Sequence, residues 1–365
     1  MEPVNIADLR VYRYSLKFRH PINIHNQALD RREGYILSVR SDEQIEGLGE
    51  AAPLPGLSME SFAQAGDQLR NLRMQCRGWK IPDHLTAFNG KFERWLGPLD
   101  LKPSVRFGLE SAILHLLANA QKSPIRKLIP MTTGGAIRVS GLISATSGDV
   151  GAQTKALIKG GASELKLKVG GHPDEDAANV KTVNAICGGK ALLHVDANQR
   201  WSYAQAVSFG RSIGCGSVSY IEEPFKEIER IPEFYDETMI PIALDESLTH
   251  VPFEQIRGIS GVETIIIKPT ILGGIEKTVQ LIAKAGNCAM CTVISSAYES
   301  SLGIWTLANI AAAVPSNGAS GLDTLKYFTE DIFLEPICFR RGEISISDRA
   351  LQPSNINFNL LCEIK

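Results

Sequence analysis

Apolar residues keep one rhythm over the first third of the chain and another over most of the rest. Residues 6–18 and 34–50 carry β-branched and apolar runs. Ile36 and the Val39–Ile45 stretch flank a polar turn at Ser41–Asp42–Glu43, which predicts three antiparallel strands. Between the first two, His20–Arg32 is too long for a tight hairpin and predicts a mobile loop. The next stretch, Gly47–Ser58 (GLGEAAPLPGLS), has glycines and prolines that deny it regular structure. It reads as a surface loop or as a cover over a site. Ser58 is placed to cap a helix over Met59–Arg77, and a second helix is expected over Leu85–Trp95. The clearest helix is Ser104–Ala120. Ser104 is its expected cap, and Val105, Leu109, Ala112, Ile113, Leu116 and Leu117 form one apolar face. Strands followed by helices make a segregated α+β unit, residues 1–130, with Pro130–Gly135 as a linker.

From Ala136 strands and helices alternate strictly. Strands are predicted near Ile137–Leu142, Glu164–Val169, Ala191–Asp196, Ser217–Glu222, Pro241–Asp245, Thr264–Lys268 and Ala289–Ser295. Helices are predicted near Asp149–Lys159, Asp174–Cys187, Tyr203–Ile213, Ile228–Tyr235, Phe253–Arg257, Gly274–Ala285 and Glu299–Ala312. Such a repeat builds either a closed barrel or a doubly wound open sheet. An open sheet concentrates its chemistry at one switch point, usually beside a Gly-rich first turn, and no GxGxxG follows a strand here. Charged strand ends on consecutive units converge only if the sheet closes. The expectation is therefore an α/β fold, a TIM-like (β/α)7β barrel over residues 136–330. Residues 331–365, including Arg340–Asp348, lack the βα pattern and are expected to return to the first unit.

Five of these strands end in a charge: Lys168, Asp196, Glu222, Asp245 and Lys268, spaced 28, 26, 23 and 23 residues apart. Buried strands of a parallel sheet are apolar throughout, so charges at their tips point to a shared site rather than to packing. Two carboxylates ~4 Å apart repel by roughly 4 kcal/mol at an effective dielectric near 20. Protonation could relieve a pair, but three acids are met more simply by a divalent cation. All-oxygen ligands with no His or Cys favour Mg²⁺, with Mn²⁺ a possible substitute, over Zn²⁺. Either of Glu222 and Glu223 could be the ligand; strand alternation points one inward and the other away, and the register suggests Glu222. The alternative is a set of solvated strand ends. Asn198 and Glu246 stand close behind the row in sequence.

Lys166 and Lys168, two apart, project from the same side of one strand. Lysines inside an apolar barrel are costly unless paired or used. Neutrality of Lys168 near pH 7 requires about three units of depression from ~10.4. A lysine so placed, a metal and a second ammonium at Lys268 can remove a proton α to a carboxylate and hold the resulting charge. His194, two residues before Asp196, shares its face and reads as barrel packing or support of the ligands.

Composition narrows the classes without adding to the site. The chain has 365 residues, 44% hydrophobic and 21% charged, with a net charge of −2, which predicts a folded soluble protein of one large and one smaller unit. No Lys/Arg run suggests nucleic acid or a membrane surface. MEPVNIADLR is unlike a secretory signal, and the longest apolar stretch, Gly303–Val314, fits a buried helix. Seven scattered cysteines suggest reduced thiols and a cytoplasmic location. Cys288 and Cys291 form a CxxC that could be a redox pair or half a zinc site, but no partner motif accompanies it.

The KxK at Lys166–Lys168, the acid tips and Lys268 together resemble the enolase superfamily, in its muconate-lactonising-enzyme-like branch. The resemblance covers nearly the whole chain and implies an α+β capping domain on a (β/α)7β barrel. Three stretches, Gly49–Phe62, Ile265–Gly274 and Ile294–Gly303, resemble the o-succinylbenzoate synthase family more narrowly. That resemblance implies Mg²⁺-dependent syn dehydration of 2-succinyl-6-hydroxy-2,4-cyclohexadiene-1-carboxylate through an enediolate, in menaquinone synthesis. Lys168 would be the base that also returns its proton, Lys268 the fixed cation, and Lys166 the neighbour that keeps Lys168 deprotonated. It further implies that Gly273 and Gly274 offer backbone N–H groups to a substrate carboxylate. Ser295 and Ser296 would donate to a carboxylate in the same pocket, or else cap the next helix. Dipeptide epimerases carry a DxD where this chain has Ile294–Ser296, which favours an anionic succinyl group over a free amino terminus. N-succinylamino acid racemisation or dipeptide epimerisation remains the alternative on the same scaffold, and a non-catalytic barrel the alternative from another class. A Rossmann-type dehydrogenase lacks its Gly-rich turn. The expected partner is a small-molecule carboxylate.

Overall fold

The computed structural model describes residues 4–364 apart from 25–26, 132–136, 146–147, 316–317 and 347–349. Most of the expected linker at Pro130–Gly135 thus lies outside the described residues. The chain opens with strands β1 (Ile6–Ile24), β2 (Gln27–Ser41) and β3 (Glu46–Ala51), paired antiparallel in that order. Adjacent residues point to opposite faces. Leu37 and Val39 face one apolar cluster with the helices, while Ile36 and Leu48 face another that includes Leu302, Phe328 and Ile332. The expected mobile loop at His20–Arg32 is instead the end of a long hairpin. After an irregularity between Lys17 and Ile22 the ladder resumes at Ile22–Leu29, and Arg32 is buried.

Helix α1 (Phe62–Gln75) begins three residues later than expected. Ser61 and Gln64 form its capping box, while the Ser58 hydroxyl accepts from the Leu54 N–H inside a turn. The expected helix at Leu85–Trp95 breaks into a 3₁₀ turn at Leu85–Ala87 and α2 (Lys91–Leu96), because Phe88 and Gly90 take left-handed φ of 48° and 86°. Helix α3 (Pro103–Ala120) starts on a proline rather than on a Ser104 cap, and the Ser104 N–H donates to Glu60 at 2.9 Å. It is buried on all sides. Gly47 and Gly49 let β3 lie against it, since a Cβ on either would sit within 2.1 Å of an α3 carbonyl oxygen.

The predicted Ile137–Leu142 strand is two: β4 (Ile137–Arg138) and β5 (Gly141–Ser144). Then follow α4 (Val150–Lys159), β6 (Glu164–Lys168), α5 (Pro173–Cys187), β7 (Leu192–Asp196), α6 (Tyr203–Ile213), β8 (Ile221–Glu222), α7 (Ile231–Thr238), β9 (Ile242–Leu244), α8 (Phe253–Ile256) and β10 (Val262–Ile267). A short α9 (Pro269–Leu272), α10 (Ile275–Asn287), β11 (Cys291–Ile294) and α11 (Ser301–Ala313) complete the alternation. Strands β5 to β11 pair in parallel in sequence order. Residues 320–321 bridge both free edges, Ser320 to Val139 and Gly321 to Ser295, each in parallel. The sheet therefore closes, and every strand ends at one mouth. Beyond it, β12 (Cys338–Arg340) and β13 (Glu343–Ser345) form a hairpin that pairs with β4, and β14 (Cys362–Glu363) pairs with β1. No described helix is long and apolar enough to cross a membrane.

Candidate active site

Register puts the charged tips side by side. Lys168 stands opposite Asp196 and Asp196 opposite Glu222. Glu222 lies opposite Ala243, so Asp245, two residues on, points the same way. The Lys168 ammonium donates to Asp196 Oδ2 at 2.6 Å and to Asn198 Oδ1 at 2.8 Å. Lys166, one layer deeper, reaches both Glu222 oxygens at 2.7 Å and Asp196 Oδ2 at 2.8 Å. Lys268 donates to Asp245. All three carboxylates are buried, whereas the Lys168 side chain keeps 33% of its surface exposed, more than Lys166 or Lys268. Of the three lysines it is the one most open to a ligand.

The electrostatics of this row are mutual. Burial works against the Asp196 charge, but the ammonium groups of Lys166 and Lys168 outweigh it and hold its carboxyl below the usual range. Glu222 goes the other way: burial, and then the neighbouring Asp196 charge, push it well above the usual range. Burial opposes the charge on Lys166 and Lys268 as well. Asp196 and Glu222 overcome it at Lys166, Asp245 and Glu246 at Lys268, and both ammonium groups are strengthened. No three of the described His, Cys, Asp and Glu side chains stand close enough together to hold an ion. Asp196, Glu222 and Asp245 instead each contact a lysine. Their chemistry nevertheless fits Mg²⁺: oxygen donors only, on adjacent strands, with enough repulsion to disfavour ionised Glu222 beside Asp196.

The residues around the row were only partly foreseen. Asn198 ties the mouth together, since its amide donates to Glu246 Oε1 at 2.8 Å while its oxygen accepts from Lys168. It and Gln199 both hold left-handed φ, at 46° and 57°. Gln199 and Ser247 were missed. Glu223, which points away from Glu222, accepts from Gln199, from the Ser247 hydroxyl and from the N–H groups of Asp245 and Ser247. It thus fixes the backbone that carries Asp245. The only signal was the polar run Asn198–Gln199–Arg200 after a strand. His194 stacks on Tyr220 with ring centroids 4.3 Å apart and meets Glu164 at 3.1 Å, below the charged layer.

Two expected anion-binding elements are otherwise engaged. The N–H groups of Gly273 and Gly274 both donate to the Pro269 carbonyl, at 2.9 and 3.2 Å. A Cβ on Gly274 would meet a Glu110 carboxylate oxygen at 2.9 Å, and φ there is +134°. The approach of α3 by itself requires glycine there. The Ser295 hydroxyl leans on the Gly321 carbonyl and the Ser296 hydroxyl on Thr324, so both pin β11 to the closing segment. Neither caps α11; Ser300 does. Cys288 is exposed and Cys291 half-buried.

Residues 149–350 match the family described as enolase C-terminal domain-like, and residues 6–116 match the MenC N-terminal domain. The chain is a member of the enolase superfamily. Among curated relatives it is 32% identical to the o-succinylbenzoate synthase of Pectobacterium atrosepticum, over 88% of this chain and 91% of that one. It is 28% identical to the chloroplastic protein PHYLLO of Arabidopsis thaliana over 96% of this chain, but spans only 23% of that longer protein. Among superfamily structures, a dipeptide epimerase from Cytophaga hutchinsonii, solved with Mg and the dipeptide D-Ala-L-Val, matches with a TM-score of 0.83 at 21% identity over 99% of both chains. A muconate lactonizing enzyme from Pseudomonas fluorescens complexed with muconolactone matches at 0.81 and 22% identity over 95% of both.

Proposed function

We propose that this superfamily member is a cytoplasmic o-succinylbenzoate synthase, dehydrating 2-succinyl-6-hydroxy-2,4-cyclohexadiene-1-carboxylate. In this reading residues 1–130 form the cap and 136–330 the catalytic barrel. Of the expected return of 331–365 to the cap, β14 pairs with β1, whereas the β12–β13 hairpin pairs with β4 of the barrel segment instead. The observation that carries it is the row itself: lysines on β6 and at the end of β10 flank three buried carboxylates on the strands between. The MenC N-terminal domain and the o-succinylbenzoate synthases at about 30% identity support this member over others. Asp196, Glu222 and Asp245 would hold Mg²⁺, which when bound polarises a substrate carboxylate and lowers the acidity barrier at its α-carbon.

Lys168, in its neutral form, takes the α-proton. The C–H electron pair delocalises onto the substrate carboxylate as an enediolate, then returns to form a ring C=C bond as the allylic C–O bond breaks. Lys168 then returns the proton to the departing hydroxyl, so water leaves from the face of proton removal. Lys268, kept protonated by Asp245, supplies fixed positive charge where the substrate carboxylate gains electron density. Lys166 remains an ammonium between Glu222 and Asp196 and disfavours a second charge on Lys168.

A second reading, racemisation of N-succinylamino acids, is favoured by the close structural match to dipeptide epimerases, because a lysine on each side of one α-carbon also suits proton exchange. The deciding experiment compares kcat/KM for dehydration with that for N-succinylamino acid racemisation on the same preparation. Dehydration should dominate; faster racemisation would overturn the synthase assignment. Excess chelator should abolish turnover and Mg²⁺ restore it, whereas full activity in chelator would remove the metal from the proposal.

A further inference from the structure

We propose that Arg32 is a positioning residue that locks the root of the segment after β3 to the barrel mouth and so sets how tightly substrate is held. The inference deepens the functional reading above and rests on it. Arg32 is 1% exposed, and the hairpin it belongs to was expected to be a loop. A guanidinium has five N–H donors in a rigid fork. Here all five are used, and every acceptor is a backbone carbonyl. Nη1 donates to Pro53 at 2.7 Å and Glu33 at 2.9 Å, Nη2 to Ala52 at 2.5 Å and Ala297 at 3.2 Å, and Nε to Tyr298 at 3.0 Å.

Those carbonyls belong to three pieces of chain: β2 itself, the segment leaving β3, and the loop from β11 to α11 at the mouth. The last contains Tyr298 at φ +58°, a strained conformation for a bulky residue that the surroundings must enforce. From this loop the connection runs on to the catalytic row. Glu299, fully buried, accepts from the Ala297 N–H at 2.6 Å and from the Thr270 hydroxyl at 2.6 Å, and Thr270 is two residues past Lys268. Arg32 and Glu299 together therefore hydrogen-bond the capping unit to the segment bearing Lys268. From the Pro53 root the chain runs to Glu60, whose buried carboxylate accepts from Ser104. Between these anchors Met59 is 82% exposed. The segment is thus tethered at both ends beside the mouth, and Arg32 is the tether on the barrel side.

Lysine keeps the charge but offers three donors from one point, so it cannot reproduce the fork. Arg32→Lys should raise KM for the cyclohexadiene substrate about tenfold while kcat per folded enzyme stays within about threefold, since Lys168 and its partners are untouched. An unchanged KM with only a lowered melting temperature would make Arg32 structural and overturn the proposal, as would a fall in kcat alone. If the variant does not fold, hydrogen exchange on the wild-type protein serves instead. Peptides spanning 50–55 and 295–300 should lose protection together, and independent exchange of the two would sink the idea. Failure of the functional reading is recorded separately: wild type that racemises N-succinylamino acids but does not dehydrate refutes the synthase. The same KM shift is then expected with the racemase substrate.

Discussion

Two sets of buried acids in this molecule are neutralised in different ways. At the barrel mouth Asp196, Glu222 and Asp245 contact ammonium groups at the ends of flexible side chains. Where the N-terminal strands and helices meet the barrel, Glu50, Glu110 and Glu276 contact backbone N–H groups at helix N-termini. Side-chain donors stand beside them at two of the three: the Arg106 guanidinium at Glu110, and the Tyr14 and Ser300 hydroxyls at Glu50. Glu110 accepts from the N–H groups of Ile275 and Glu276 at the start of α10, whose own N-cap, Gly274, has no side chain to offer. Glu276 returns the favour across the boundary, accepting from Gly90, Phe92 and Glu93 at the start of α2. Glu50 accepts from Ser300 and Gly303 at the start of α11. A backbone donor cannot leave without unwinding its helix, so these acids are structural. A lysine can swing aside and let a carboxylate take another cation. Burial and charge alone would not separate the two sets, and each has some donors of the other kind, Arg106 at Glu110 and the Asn198 N–H at Asp196. A seat on a helix N-terminus is what the second set has and the first lacks.

The largest test of this contrast lies at the mouth. Lys168→Ala and Lys268→Ala should each lower kcat by about 10²–10⁴ in a folded protein, the range of general acid–base and charge-stabilising contributions. Near-normal dehydration in either would break the comparison. Next comes acid stability. His115, buried against Thr306 at 3.1 Å, has its pKa pushed down to about 4 by burial. The unfolded chain takes up this proton near pH 6.5 and the fold resists until about 4, so stability is full above pH 6.5 and falls as pH drops through that window. The loss is about 3 kcal/mol by pH 4. Urea midpoints of wild type and His115→Gln, followed from pH 7 to 4, should converge as the pH falls.

Glu110→Gln should cost about 3 kcal/mol of stability, because an amide cannot accept as strongly from both α10 donors and removes the carboxylate charge that faces the buried Arg106 guanidinium. Its kinetic constants per folded molecule should stay within about threefold. A loss of turnover without loss of stability would place Glu110 with the mouth acids instead. The smallest effect is expected at Ser300→Ala, where the side-chain cap and the hydroxyl donor to Glu50 are lost but Glu50 still holds the Ser300 and Gly303 N–H groups, about 1–2 kcal/mol by thermal melts.

Much of the architecture was legible because it is written locally. An apolar run of four to six residues followed by a charge is visible in one strand, and its recurrence from Lys168 to Lys268 told that the sheet must close. The inward choice of Glu222 over Glu223 followed from strand alternation together with the register of the charged tips. What could not be read were contacts between residues far apart in sequence. The backbone donors to Glu110 are 165 and 166 residues away, and Arg32 reaches carbonyls 265 and 266 residues on. Gly273, Gly274, Ser295 and Ser296 suited an anion by residue type, and nothing in the sequence showed that α3 packs against the glycines or that the closing segment meets the serine hydroxyls. Local pattern determines which groups face the mouth, since the period of a strand is a property of its own backbone. Which of those groups stay available to a ligand is decided only when distant carbonyls, N–H groups and carboxylates have taken their share.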